Sequence, residues 1–205
     1  MIYFVRHGQS WANIDTNVCM NEDKDIPLTD LGFEQAKEIA NALPIVKNVV
    51  CSPFLRTIDT SRPYLEKTKI TPVFTECHEF SYLDKNLCKN TSRDDRKIMR
   101  HDFWAKNDPF LRHGESESFA EFMQRVTNCI EMLKTYKEDV IVFSHSMFIK
   151  GVIIEILFKA SLNLKEWHKV FGIMPSIPNC SITQVCLDKM YVSQPETKHL
   201  TIVSQ

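Results

Sequence analysis

Two short apolar runs in this 205-residue chain each end abruptly at a polar segment that contains a histidine. Residues 2–5 are β-prone and stop at Arg6-His7, and residues 140–143 form the clearest buried strand in the sequence and stop at Ser144-His145. Helical segments are predicted after both runs. Strands that alternate with helices in this way predict βαβ units, and therefore a three-layer α/β/α fold with a mostly parallel central sheet.

The ends of the same two strands predict where a ligand binds. In open α/β sheets, ligands bind beyond the carboxyl ends of the strands. Arg6-His7 and His145 both follow such ends. The two histidine-containing loops are therefore expected to form a single site.

The remaining elements follow from caps, periodicity and breakers. Helix starts are predicted at Thr29, a candidate cap, and at Ser118, which forms a capping-box pattern with Glu121. A helix is expected from Phe54 to about Ser61, with Pro63 disturbing its continuation. Other strands are expected at 48–51, 70–74, 181–187 and 199–203, a loop at 76–84, a helix that ends at 157, and an amphipathic segment at 164–170.

Residues 85–112 are polar and without clear periodicity. We predict an insertion or lid here, within one domain that spans residues 1–205. Three aromatic side chains in this segment could stack on a ring or pack the lid, and packing is the preferred interpretation. They are Phe103, Trp104 and Phe110.

Charge, cysteine usage and hydropathy exclude several classes of protein. A formal net charge of -1 disfavours a nucleic-acid binder that works through a broad basic field. The seven cysteines are odd in number and contain no C-x-x-C pair, so reduced thiols and a cytoplasmic protein are expected. The sequence contains no apolar run of the roughly 18–20 residues that a membrane span needs, and the segment before Arg6 is too short for a secretory signal.

The segment from Val5 to Ser10 carries the residue types that phosphoryl transfer requires. A neutral imidazole at His7 can act as a nucleophile, and the guanidinium of Arg6 matches two phosphate oxygens. Gly8 allows the backbone to approach a ligand closely. A second Arg-His-Gly triplet ends at Gly114, but no strand-like run precedes it. His113 is therefore not predicted to be the nucleophile.

Six patterns in the same order resemble the histidine phosphatase superfamily, whose fold is phosphoglycerate-mutase-like. They cover nearly the whole chain: Arg6-His7-Gly8, Leu28-Thr29 with Gly32, Ser52-Pro53 with Arg56, Gly114-Glu115-Ser116 with Arg125, Ser144-His145, and Asn179-Cys180-Ser181. The resemblance implies that His7 is the nucleophile and that Arg6 and Arg56 clamp phosphate oxygens. It also implies that His145 binds the phosphoryl group. Gly8, Asn13 and Ser146 would line the same pocket.

The resemblance places a carboxylic acid in the loop after the third strand. Glu79 is the preferred proton donor, because its distance from Arg56 fits the family and because Phe80 could raise its pKa by desolvation. Glu76 and Asp84 are the alternatives. Arginines near His7 should keep its imidazole neutral. No metal and no cofactor are expected.

Two residues depart from the family pattern. Ser146 stands where many members have glycine after the second histidine, and Lys150 stands where arginine is common. The segment Ser81 to Asp84 also lacks the motif of the mutase branch.

The preferred function is therefore hydrolysis of a phosphate monoester through a phosphohistidine on His7. The substrate would be a phosphorylated small molecule or a phosphoprotein, with no nucleic-acid or membrane partner. Mutase-type phosphoryl transfer is one alternative, because the 85–112 segment is rich in basic residues. A non-catalytic module that binds a phosphorylated ligand is another.

Overall fold

The computed structural model describes residues 1–14, 23–89 and 91–201, and it contains one six-stranded sheet. The strands are β1 (Ile2–Arg6), β2 (Asn48–Cys51), β3 (Val73–Phe74), β4 (Val140–Ser144), β5 (Ile182–Cys186) and β6 (Tyr191–Val192), in the order β3-β2-β4-β1-β5-β6. The β1–β4, β2–β4 and β2–β3 pairs are parallel, whereas β5 runs antiparallel to β1 and to β6. The predicted mostly parallel sheet is confirmed.

Seven helices are described around this sheet. They are α1 (Asp30–Ala42), α2 (Leu55–Thr68), α3 (Lys85–Cys88), α4 (Arg93–Ala105), α5 (Phe119–Leu133), α6 (Ser146–Phe158) and α7 (Leu164–Ile173). The side chains of Thr29 and Ser118 cap α1 and α5, as predicted. Short 3-10 turns at Trp11–Asn13 and Asp23–Asp25 precede α1.

Two apolar cores, one on each face of the sheet, confirm the three-layer architecture. Alternate residues of a strand point to opposite faces, and Phe4 and Val5 enter different cores. The core that contains Val5 is formed with α1 and α2, and the core that contains Phe4 with α5, α6 and α7. No helix in the described part of the chain is both long and apolar enough to cross a membrane.

Helix α2 continues through Pro63 to Thr68, so the expected interruption near Ser61 was wrong. Proline removes one backbone hydrogen bond and crowds the preceding turn. Here the residue after it is fully buried: Tyr64 packs in the core, and its hydroxyl donates to the Pro44 carbonyl at 2.8 Å. Tertiary packing of the helix therefore outweighs the local cost of Pro63.

Segment 85–112 is more ordered than the sequence suggested. It contains α3 and α4, and α4 begins with a capping box at Ser92. Phe103 is 3% exposed and Trp104 packs against the same core, whereas Phe110 is 70% exposed. Packing is therefore the observed role of the first two aromatic side chains. That the segment acts as a lid remains a prediction.

The strand predictions near the ends of elements were less accurate. The third strand is limited to Val73–Phe74 instead of 70–74. The last strand is Tyr191–Val192, a short hairpin partner of β5, rather than 199–203. Residues 199–201 are not in a strand, and 202–205 lie outside the described residues.

Candidate active site

The parallel pairing of β1 with β4 brings the two predicted histidines together. Arg6 is in register with Ser144, and the backbone amide of His7 donates to the Ser144 carbonyl at 3.0 Å. His145 directly follows the end of β4 and caps α6, so the two imidazoles lie side by side at the ends of adjacent strands. Their ring centroids are 5.1 Å apart, and the side chains are 2% and 0% exposed. The sheet thus brings His7 and His145 together, as the strand ends predicted.

A short contact fixes the hydrogen-bonding state of His7. Its Nδ1 lies 2.7 Å from the carbonyl oxygen of Gly8, which can only accept a hydrogen bond. The proton of a neutral ring is therefore on Nδ1. The lone pair is on Nε2, the atom that can act as a nucleophile.

The Nε2 atom of His145 lies between two hydroxyl groups. It is 2.8 Å from Ser52 Oγ and 3.0 Å from Thr57 Oγ1. When Nε2 accepts from either hydroxyl, the proton of the neutral ring is on Nδ1. His145 Nδ1 is buried and has no hydrogen-bond partner among the described residues. It is a donor held ready for an acceptor inside the site.

Burial and nearby cations keep both imidazoles neutral. Desolvation lowers the pKa of His7 well below its usual 6.5, and Arg56 and Arg6 lower it further. Desolvation followed by the charge of Arg56 also lowers the pKa of His145 well below 6.5. The lowered pKa favours the neutral imidazole that was expected at His7, and its role as the nucleophile stays a prediction.

Arg6 lies at the end of β1 and is 8% exposed. Its Nη1 donates to the Ile177 carbonyl, while its Nε is buried without a partner among the described residues. Burial lowers the pKa of Arg6 to about 10, and Glu79 raises it in opposition. The side chain stays charged at neutral pH and retains a donor for an anion.

Arg56 lies in the first turn of α2, where the positive end of the helix dipole favours anions. Its side chain is 3% exposed and lies over the ring of Phe54, with the guanidinium carbon 5.0 Å from the centroid. Its guanidinium also forms an ion pair with Asp23, Nη2 to Oδ1 at 3.0 Å. Arg56 is therefore buried at the site and contacts a carboxylate, and its role as a phosphate clamp stays a prediction.

Glu79 reaches the same site from the loop that follows β3. Its Oε1 accepts from the Met147 amide at 2.8 Å, in the first turn of α6. Desolvation raises the pKa of Glu79, and the charges of Arg56 and Arg6 oppose this rise. A carboxyl group with a raised pKa beside a nucleophile is suited to donate a proton.

The two alternative acids are placed differently. Glu76 is exposed. The carboxylate of Asp84 caps α3 through the Asn86 amide at 2.7 Å and accepts from the Glu115 amide at 2.6 Å. Of the three carboxyl groups considered, only Glu79 is grouped with His7 and His145.

Asn13 and Gly8 act on the loop that carries His7. Asn179 Nδ2 donates to the His7 carbonyl at 2.9 Å and to Asn13 Oδ1 at 3.2 Å, which links the exposed Asn13 to this loop. A Cβ atom at Gly8 would lie 2.6 Å from the Gly32 carbonyl oxygen. Gly8 is thus needed for close packing against α1, a different reason from the approach to a ligand that we expected.

Ser146, the residue that departs from the family glycine, uses its hydroxyl within the protein. Its Oγ accepts from the Ile177 amide at 2.9 Å and lies 3.1 Å from Ser176 Oγ. The carbonyl of the same Ile177 accepts from Arg6. Ser146 therefore supports the segment that holds Arg6, and its predicted contact with phosphate stays a prediction.

His7, Glu79 and His145 offer potential ligand atoms that lie within 4.8 Å of one another, the kind of grouping that can hold a metal ion. From the sequence, these three residues are expected in one site, and no metal is expected there. Two guanidinium groups, those of Arg6 and Arg56, act on the same histidines and oppose a further cation. The charge of the site favours an anion.

The α/β/α fold and the paired histidines with two arginines are typical of phosphate-binding enzymes, and comparison with protein families identifies the family. The chain belongs to the histidine phosphatase superfamily, since the model of branch 1 of this superfamily matches residues 2–193. The resemblance stated from the sequence is confirmed. No curated protein matches the chain significantly.

Solved structures of low sequence identity share the fold. An alpha-ribazole phosphatase from Shigella flexneri has a TM-score of 0.72 at 19% identity, with 100% of this chain and 99% of that chain covered. A phosphoserine phosphatase from Entamoeba histolytica, solved with 3-phosphoglyceric acid, has a TM-score of 0.72 at 19% identity over 97% and 98%. A mycobacterial glucosyl-3-phosphoglycerate phosphatase has a TM-score of 0.67 at 18% identity over 89% and 87%.

Several functional contacts were not predicted from the sequence. Ser52 and Thr57 flank His145, and Asp23 pairs with Arg56. Arg125 of α5 donates to the carbonyls of Glu76, His78 and Glu79 and so holds the Glu79 loop. A signal for Arg125 existed: helical spacing places this charged residue beside the apolar stripe of α5, next to Val126 and three residues after Phe122.

Proposed function

We propose that this protein is a phosphatase that hydrolyses phosphate monoesters through a phosphohistidine on His7. The observation that carries the proposal is a pair of buried donors without partners, Arg6 Nε and His145 Nδ1, beside a buried imidazole whose Nε2 carries a lone pair. Buried polar groups are rarely left without a hydrogen bond. Oxygens of a phosphoryl group bound at His7 would satisfy both donors.

The first half-reaction transfers the phosphoryl group to the enzyme. The lone pair of His7 Nε2 forms the P–N bond as the ester P–O bond breaks, and Glu79 gives its proton to the departing oxygen. Arg6, Arg56 and His145 stabilise the charge on the equatorial oxygens. Because their positions are fixed by burial and by backbone contacts, little reorganisation accompanies the step.

The second half-reaction restores the enzyme. Glu79, now a carboxylate, accepts a proton from a water molecule whose oxygen attacks phosphorus. The P–N bond breaks, inorganic phosphate leaves, and the electron pair returns to His7 Nε2. No metal ion takes part in either step.

The substrate proposed is a phosphorylated small molecule or a phosphorylated side chain of a protein. The carboxyl group of Glu79 supports hydrolysis over simple binding, because a module that only binds an anion gains nothing from an acid between two arginines. Phosphoglycerate-mutase-type transfer would use the same nucleophile. The products distinguish it from hydrolysis, because a mutase yields an isomeric ester and a phosphatase yields inorganic phosphate.

The test is release of phosphate from an aryl phosphate by the wild type, His7→Ala and His113→Ala, with chelator present throughout. His113 belongs to the second Arg-His-Gly triplet and is the matched control. We expect full activity in the wild type and in His113→Ala, and a loss of at least about 10³-fold in His7→Ala. Equal rates in the wild type and His7→Ala would refute the mechanism. Activity that disappears in chelator would refute metal independence.

If the wild type releases no phosphate, the two alternatives are a mutase and a non-catalytic binding module. Isomerisation of a phosphoglycerate would then establish mutase activity. Saturable binding of phosphate with neither reaction would establish a binding module.

A further inference from the structure

A carboxylate sits directly on the arginine that we assign to phosphate binding. Asp23 Oδ1 lies 3.0 Å from Arg56 Nη2, and the Asp23 carbonyl accepts from Arg56 Nη1. The arginine side chain is 3% exposed, whereas that of Asp23 is 41% exposed. A ligand can therefore reach the carboxylate from solvent, while the guanidinium is held below it.

The same carboxylate is linked to the loop of Glu79, the residue that protonates the leaving group in the proposed mechanism. Ser81 Oγ donates to Asp23 Oδ2 at 3.4 Å, and Ser81 is two residues after Glu79. The charge of Asp23 also contributes to the raised pKa of Glu79, after desolvation. An ester oxygen that takes a proton from Glu79 must carry its alcohol past this pair.

The charge of Asp23 affects which charged groups the alcohol part of the substrate can carry. Paired with Asp23, Arg56 presents a neutral unit beyond the phosphate position instead of an extra cation. A carboxylate on the alcohol would approach the like charge of Asp23 and would gain no free cation from Arg56. An ammonium group on the alcohol would instead find a counterion in the carboxylate of Asp23. Among the described acids of the site, Glu79 is the only other one.

We infer that Asp23 is a specificity-determining residue that selects phosphate monoesters of amino alcohols over monoesters of hydroxy acids. This inference rests on the proposed function, because it names the substrate class of the same site. Asp23 contributes neither the nucleophile nor the proton, and it acts on the group attached to the ester oxygen.

The test uses three two-carbon esters that differ mainly in charge: phosphoethanolamine, ethyl phosphate and phosphoglycolate. They are compared with the wild type, Asp23→Asn and Asp25→Asn. Asparagine at 23 keeps an acceptor for Arg56 and removes the charge. Asp25 is exposed in the same 3-10 turn and controls for net charge.

The measured quantity is kcat/KM for phosphoethanolamine divided by kcat/KM for phosphoglycolate. Differences between the alcohols as leaving groups cancel when this ratio is compared between variants. We expect the wild type to prefer phosphoethanolamine and Asp23→Asn to lower the ratio at least about tenfold. Ethyl phosphate reports any change in rate that is common to all three esters. Asp25→Asn should leave it within about twofold. An unchanged ratio in Asp23→Asn, or an equal change in Asp25→Asn, would overturn the inference.

Binding measurements keep the two proposals separate. If no variant hydrolyses any ester, aryl phosphate included, the proposed function fails. The ratio of dissociation constants for phosphoglycolate and phosphoethanolamine, measured by calorimetry on the same three proteins, then decides the role of Asp23. A tenfold fall in Asp23→Asn alone supports the inference, and equal ratios in all three proteins contradict it.

Discussion

Replacement of Glu79 by glutamine tests the assigned proton donor with little change in shape. The glutamine oxygen can still accept from the Met147 amide, which Glu79 Oε1 contacts at 2.8 Å. The first turn of α6 and the Glu79 loop therefore keep their contact. What is lost is the proton that the carboxyl group would give to the leaving oxygen.

The size of the effect depends on the leaving group. An alkoxide is a poor leaving group, so loss of general acid catalysis should lower kcat/KM for an alkyl phosphate by about 10²–10⁴. This corresponds to about 2.7–5.4 kcal/mol of transition-state stabilisation. A 4-nitrophenolate leaves without protonation, and its kcat/KM should fall less than about tenfold in Glu79→Gln.

The pH dependence gives a second, independent signature. Burial raises the pKa of Glu79. In the proposed mechanism the protonated form acts in the first half-reaction. For the wild type, kcat/KM with an alkyl phosphate should therefore fall as pH rises through this pKa, and Glu79→Gln should lack that alkaline limb. Steady-state assays from pH 4 to 9 with both esters measure this. An equal loss for both esters with an unchanged pH profile would refute the assignment of Glu79 as the acid.

The stability of the same variant follows from linkage. The folded-state pKa of Glu79 lies above the unfolded value of about 4.3. Its contribution to folding is fully present below about pH 4.3 and is lost as pH rises through the folded pKa. In thermal unfolding, the Tm of Glu79→Gln minus the Tm of the wild type should therefore increase as pH rises. A difference in Tm that does not depend on pH would contradict this.

Three further predictions concern the supports of the site. In Arg125→Met the loop that carries Glu79 loses its contacts with the guanidinium. The fold-decrease in kcat should therefore exceed the fold-increase in KM, and the pH profile of kcat/KM should shift. An unchanged pH profile would show that Arg125 contributes only to folding. Gly32→Ala should cost about 1–3 kcal/mol in urea unfolding, because its Cβ would lie 2.0 Å from the Gln9 carbonyl oxygen, and unchanged stability would refute the close packing. Because the pKa of His145 is lowered in the folded protein, the unfolded chain binds this proton at a higher pH than the folded chain. As pH falls below about 6.5, the free energy of unfolding of the wild type should therefore decrease faster than that of His145→Asn. Parallel curves of unfolding free energy against pH would contradict this.

The paired strands and the two histidines could be predicted because their signals are local. A buried strand is a run of apolar residues, and the polar residue after it lies at the end of the sheet. Arg6, His7 and His145 satisfy this simple rule, and Arg56 follows from a helix start after β2. The order of these segments along the chain then suffices for the fold class.

Contacts between segments distant in sequence could not be predicted. Ser52 and Thr57 hold His145 across about 90 residues, and neither hydroxyl differs in sequence from any other near a helix start. Asp23 meets Arg56 only because the turn before α1 folds over α2. Pro63 shows the converse, since a strong local breaker yields to the packing of its neighbours. Local rules give the elements, and tertiary packing decides their ends and their partners.

Direct detection of phosphohistidine tests the central claim. The wild type, His7→Ala and His113→Ala are mixed with an aryl phosphate, quenched in alkali within milliseconds and examined by intact-mass and peptide mass spectrometry. The account predicts one phosphoryl group per chain in the wild type and in His113→Ala, stable to alkali, labile to acid and located on His7, and none in His7→Ala. A phosphoryl group on another residue, or one that persists in His7→Ala, would contradict it.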